Sequence, residues 1–139
     1  MPLAAKRFED PDEVRAFEHG HLDVVEVDGH SVGLATFEPG WKWSEHVKLV
    51  AGTESCRVTH VGYLLRGRLA VRMDDGTEAV AGPGDVVAVP AGHDGWVLGD
   101  EPCVMLDWGG GADYARGRSH HAELTPLHSA ARGRADVIR

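Results

Sequence analysis

Turn-forming residues recur along this chain at short, nearly even intervals, and that spacing restricts the fold more than any other feature. Asp28-Gly29, Pro39-Gly40, Arg66-Gly67, Asp74-Asp75-Gly76 and Gly82-Pro83-Gly84-Asp85 each read as a tight corner. The chain holds 18 glycines and 7 prolines, a content that suits such punctuation. Between the corners the period is that of strands. In 68–73, Leu69, Val71 and Met73 alternate with Arg68, Ala70 and Arg72, so one face is buried and the other wet. Segments 22–27, 31–38, 57–65, 77–81, 86–90, 96–99 and 102–108 read the same way. Eight to ten short strands at regular spacing predict an all-β fold, a closed or double-sheet antiparallel barrel with its core over about residues 21–108.

One helix is expected ahead of the strands, near 11–18. Asp10 is placed to cap it, Pro11 fits the first turn, Glu13 sits three residues after Asp10, and Gly20 ends it. The 139 residues suit one domain, 1–108, without room for a second core. Residues 109–139 are rich in Gly, Ala and Arg with little apolar mass, and are expected to be a peripheral or disordered tail with a short helix over 128–133. Removing 118–139 is expected to leave the melting temperature nearly unchanged.

Charge narrows the partners. Five arginines against three acids give the tail +2, so the overall −8 leaves −10 on residues 1–108. A body this acidic repels phosphate backbones, which argues against nucleic acid. No apolar run approaches the length of a membrane span, and the N-terminal MPLAAKRFED lacks the apolar core of a secretory signal. The cysteines, Cys56 and Cys103, are too few for a disulfide framework, so a cytoplasmic location with unbridged thiols is expected.

Cys56-x3-His60 is a close pair of good ligand types, because thiolate and imidazole both suit zinc and other borderline metals. His93, after the Pro90-x-Gly92 turn, would add a third ligand from a neighbouring strand. Three protein ligands leave a position open, as in catalytic sites. Trp41, Trp43, Tyr63 and Trp96 flank these residues in sequence and suit an organic ligand with a planar or apolar part; they equally suit plugging the barrel ends. His19, His21, His30, His120, His121 and His128 fall in turns, a helix end or the tail and read as solvated.

The stretch Gly84-x5-Pro90-x-Gly92 resembles the second motif of the cupin superfamily, and HVGYLLRG up to Gly67 resembles the second half of the first. The resemblance covers about residues 30–108 and implies a jelly-roll barrel of the double-stranded β-helix type. In that family a His-x-His pair is followed by Glu and, after six intervening residues, by Gly. Carried over, His60 stands at the Glu position, Cys56 at the second His and Glu54 at the first. The second motif's His falls on Gly95, and His93 lies two residues earlier, on the same side of a strand. His46 follows Gly40 with the spacing of the first motif's opening Gly-x5-His, and is taken as a pocket residue.

The expected metal ligands are therefore Cys56, His60, His93 and Glu54, and the expected ligand pocket is Trp41, Trp43, His46, Tyr63 and Trp96. The resemblance implies a divalent ion (Zn, Fe, Ni or Mn), a small-molecule ligand and a homodimer. It implies a metal-dependent enzyme carrying out oxygenation, isomerisation or cyclisation of a small organic metabolite. The alternative is a non-catalytic binding or sensing module; the longer pattern from PGWKWSEHVK to PCVMLDW is similar to small bacterial cupins, some of which accompany signalling genes.

Overall fold

In the computed structural model, which describes residues 3–108, the chain opens with a strand where the capping signals predict a helix. β1 (Glu13–Phe17) lies antiparallel to β2 (Gly20–Val27) over its whole length, with Arg15 opposite Leu22. The expected helix at 11–18 is therefore a correction. Its cap signals are local, and they lose to pairing with β2, which satisfies the backbone along the strand and turns Arg15 and Phe17 inward. Asp12 binds the sheet instead of a helix end: it accepts the Glu26 N–H at 2.7 Å and Lys6 Nζ at 3.0 Å. His19, with a φ of 63°, then turns the chain into β2.

The Asp28-Gly29 turn has positive φ at both residues, 50° and 81°, which matches the twist of a two-residue hairpin. It joins β2 to β3 (His30–Phe37) in unbroken register. After Gly40 the chain forms two single-turn helices, α1 (Trp43–His46) and α2 (Lys48–Ala51). It then runs through a loop into β4 (His60–Arg66), three residues later than the strand read from sequence. β5 (Arg68–Met73), β6 (Glu78–Ala81), β7 (Val86–Val89), β8 (His93–Leu98) and β9 (Cys103–Asp107) complete the order.

These strands make two antiparallel sheets, β1-β2-β3-β9-β4-β7 and β6-β5-β8. The expected all-β, cupin-type double-sheet architecture is the one observed. Gly67 at the β4–β5 corner has a φ of 77°, and a Cβ there would lie 2.3 Å from the Pro102 carbonyl oxygen, so no larger residue fits. Registers carry two inward rows across the larger sheet. One runs Leu22, Ala35, Met105, Leu64; the next runs Val24, Gly33, Asp107, Gly62, Val87. The first is buried and apolar throughout, each large side chain contributing roughly 1.5–3 kcal/mol. The second places a carboxylate between two glycines.

Among the described residues no helix is long and apolar enough to cross a membrane. Cys56 and Cys103 are separate buried thiols. The tail expected over 109–139, with its helix at 128–133, lies outside the described residues.

Candidate metal centre

His60 and His93 are the first residues of β4 and β8, and strand alternation turns both inward, with Gly62 and Leu64 following His60 and Gly95 and Val97 following His93. The loop carrying Cys56 is tied to the start of β8. The Cys56 N–H donates to the His93 carbonyl at 2.8 Å, and the Gly92 N–H donates to the Cys56 carbonyl at 2.7 Å. Gly92, with a φ of 94°, makes this corner, and a Cβ on it would come within 3.0 Å of the Asp74 carboxylate. Asp74 in turn accepts Ser55 Oγ at 3.0 Å, next in chain to Cys56.

The result is a buried group of three ligand atoms, one each from Cys56, His60 and His93, all within 4.8 Å of one another. Cys56 Sγ lies 3.8 Å from His60 Nε2, and the two imidazoles meet nearly edge to face, centroids 5.3 Å apart. Each ring uses its Nδ1–H away from the group. His60 Nδ1 donates to Asp107 Oδ2 at 2.5 Å, and His93 Nδ1 donates to the Pro90 carbonyl at 2.7 Å. Both Nε2 atoms are left for an ion, which is how metal-binding histidines are usually held.

Asp107 was missed in sequence. The signal was present: in Cys103-Val-Met-Leu-Asp107 the acid shares the inward parity of Cys103 and Met105, and an acid at that parity needs a buried partner. Asp107 is 3% exposed.

The electrostatics follow from these contacts. Burial pushes the Cys56 thiol up, but the facing His93 and His60 rings outweigh it and bring the thiol down to about 6. Burial likewise pushes His60 down, and the Asp107 carboxylate overrides it, holding the imidazole up at about 10. Without metal the cluster is thus a thiolate, an imidazolium and a carboxylate in line. A divalent ion held here would have its charge balanced by the Cys56 thiolate and Asp107. A soft sulfur and two oriented imidazole nitrogens fit zinc or another borderline metal, and three protein ligands leave room for a further one. His60 and His93, with Asp107, sit in the wall of a cup whose other side chains are apolar, including Leu22, Phe37, Trp41, Trp43, Val71 and Met105.

The other expected site residues divide sharply. Trp41 and Trp43 line the cup. Glu54 does not join the cluster: its side chain is 91% exposed, and its carboxylate binds Lys48 Nζ at 3.1 Å. The left-handed Gly52 that ends α2 turns this loop outward before it returns at Ser55. His46 is no pocket residue, because it sits at the end of α1, where its Nδ1 accepts the Lys42 N–H at 3.0 Å. Tyr63 and Trp96 are corrected by parity. Each lies an odd number of residues from the inward histidine of its strand, so Tyr63 faces away on β4 and Trp96 on β8, where Lys42 Nζ lies over its ring at 5.3 Å.

A search of curated proteins finds no match. Among solved structures, a protein of unknown function from Rhizobium leguminosarum has a TM-score of 0.52 and 24% identity, covering 78% of this chain and 98% of that one. The polyketide cyclase RemF from Streptomyces resistomycificus has a TM-score of 0.54 and 17% identity, covering 76% of this chain and 78% of the other. At such identities these likenesses concern the fold alone. A family model described as Cupin domain matches residues 33–109, from β3 through the end of β9. That span is more than half of the sequence and holds every residue of the cluster, and on it the chain belongs to the cupin family.

Proposed function

We propose that this cupin is a metal-dependent enzyme acting on a small organic molecule, with Cys56, His60 and His93 holding the ion. The observation that carries the reading is the convergence of one sulfur and two outward-anchored imidazoles within 4.8 Å, the two imidazoles in the wall of a largely apolar cup. A bound divalent ion would polarise a ligand oxygen or lower the pKa of a bound water. The chain's own residues do the rest. Asp107 and the Pro90 carbonyl fix the ring orientations, and the apolar walls exclude water and hold the organic part of the ligand. Isomerisation, cyclisation and oxygenation are all compatible with such a site, since one fold serves many reactions.

Elemental analysis of tag-free protein, equilibrated with zinc, iron, nickel or manganese and then desalted, tests this directly. About one equivalent of one metal is expected. Protein that retains none of the four contradicts the reading.

A binding or sensing module is the second reading, and one feature favours it. The ionisable groups lining the cup are His60, His93 and Asp107, and all three are engaged in the cluster. No further acid or base among the described lining residues stands ready for proton transfer. A ligand that binds the metal-loaded protein and is recovered unchanged supports sensing; turnover supports the enzyme.

A further inference from the structure

Polarity in the cup is one-ended, and three strands show why. On β4, β8 and β9 the inward side chain at one end is His60, His93 or Asp107. These three are the ionisable groups among the described lining residues, and the rest of that lining brings no hydroxyl or carboxamide. Two residues further in, roughly 7 Å along each strand, the inward positions are Gly62, Gly95 and Met105. Two more bring Leu64, Val97 and Cys103, which belong to the packed core.

Gly95 and Met105 line the cup, with Val71 opposite Gly95 on β5. A Cβ on Gly95 would stand 3.4 Å from the Ala70 carbonyl oxygen and 3.9 Å from Leu69 Cδ1 and the Trp41 ring. Those are ordinary contact distances, so a methyl group fits there and the glycine leaves its space open. The apolar part of a ligand gains by covering these side chains, and a polar group among them would give up its hydration without a partner. The other end is different. A divalent ion held by Cys56, His60 and His93 would have one thiolate among its protein ligands, and Asp107 stands behind the His60 ring. Ion and thiolate together carry a formal positive charge, and an oxygen anion suits the position left open.

We propose that the ligand of this cup is a short apolar acid with a single anionic oxygen head, of which a straight-chain monocarboxylate is the simplest case. Its head meets the ion, and its body lies over Gly95 toward Val71 and Met105. The body is short because one two-residue step separates the polar end from the packed core. This deepens the reading of the cup as the ligand site of a metal protein, and rests on it.

The test uses the full chain equilibrated with zinc, or with cobalt(II) in its place, and three probes: pentanoate, glutarate and acetate. Glutarate has the carbon chain of pentanoate, with a second carboxylate in place of the methyl. In titrations followed by the probes' NMR signals, pentanoate should bind at least about tenfold tighter than glutarate. Each methylene from acetate to pentanoate should tighten binding about two- to fourfold. On the cobalt protein, pentanoate should shift the visible absorption bands, because its head enters the ion's coordination. Gly95→Ala adds a methyl group where the body lies and alters no metal ligand. It should weaken pentanoate about threefold or more and acetate less than about twofold, with metal content retained. Glutarate or acetate binding as tightly as pentanoate would overturn the assignment. So would pentanoate binding that leaves the cobalt bands unmoved, undiminished pentanoate binding to Gly95→Ala, or equal losses of acetate and pentanoate in that variant. Metal content, measured on every sample, separates the two ideas. Protein that holds zinc and binds none of the three acids refutes the ligand class alone. Protein that takes up neither zinc nor cobalt refutes the metal reading, and the pentanoate-to-glutarate ratio measured on it still decides the apolar half of the assignment.

Discussion

Two pairs of histidines in this molecule have nearly the same ring geometry and opposite chemical prospects. His60 and His93 meet at 5.3 Å and 68°; His19 and His46 meet at 4.5 Å and 69°. What separates them is the other nitrogen. His60 and His93 each donate Nδ1–H to an oxygen, Asp107 and the Pro90 carbonyl, and so present Nε2 to the cluster. His46 does the reverse. Its Nδ1 accepts the Lys42 N–H, which only an unprotonated Nδ1 can do, so the hydrogen of the neutral ring sits on Nε2 and no lone pair is left for an ion. A sulfur completes the first pair, and the three-ligand group found among the described residues is the one containing it. Proximity of two imidazoles makes a candidate; the acceptors behind them decide it.

The strongest way to break this contrast is to remove one member from each pair. His60→Ala should lower metal content from about one equivalent to under a tenth, measured by elemental analysis after desalting. His46→Ala should leave it unchanged. Equal retention in both variants would mean that the inner cluster is not the metal site.

A smaller effect comes from the group behind the ring. Asp107→Ala frees the His60 imidazole to rotate and removes a negative charge, so metal affinity should fall about 10- to 100-fold in a chelator competition. Asp107→Asn keeps an oxygen able to accept the Nδ1–H and loses only the charge, so it should recover part of that affinity. If Asn is as damaging as Ala, charge rather than orientation is what Asp107 contributes.

Metal uptake should also depend on pH, with a sign fixed by the same contacts. His60 is held up at about 10 and Cys56 down at about 6. Between those values an entering ion finds a thiolate ready and must displace one proton, from His60. Affinity should therefore fall about tenfold for each unit that pH drops from 9 to 6, and more steeply below 6, where the thiol also takes up a proton. Calorimetry in buffers of different ionisation enthalpy should show about one proton released per ion at pH 7.5. No proton release would mean that Asp107 does not hold the metal-free His60 protonated.

The fold was legible because its signals are local and repeated. The Asp28-Gly29 turn, the alternation through Leu69 and Val71, and the Gly67 corner each state their geometry within a few residues. The N-terminal strand was not legible, because its pairing with β2 lies outside any local window and Asp12 reads as a cap until Glu26 is beside it. In the site, Cys56 and His60 were visible as a pair and His93 by its corner. Tyr63 and Trp96 are close to the cluster in sequence but not in space, and their parity relative to His60 and His93 points them outward. Glu54 followed from extending a motif by spacing into a loop, where spacing carries no direction. Asp107 lies 47 residues from His60, and only the β4–β9 register brings them together.

The same contrast between ligand and filler recurs at the two sulfurs, with the smallest expected effect. Cys103 is fully buried on β9, opposite Phe37, and burial alone pushes its thiol up to about 12. No imidazole faces it in the contacts that set this value, so it behaves as a small apolar side chain. Cys56, equally unbridged, is drawn the other way by two histidines. Cys103→Ala should therefore leave metal content unchanged and cost only the packing of one sulfur, about 1–2 kcal/mol. In a domain of this size each kcal/mol lowers the melting temperature by roughly 4–8 °C. Cys56→Ala should show the opposite division, losing metal affinity while the melting temperature of the metal-free protein changes less than its metal-induced gain. That gain itself should vanish, because a ligand stabilises only the state that binds it. A Cys103→Ala protein that loses metal would place the second sulfur in the site and remove the distinction drawn here.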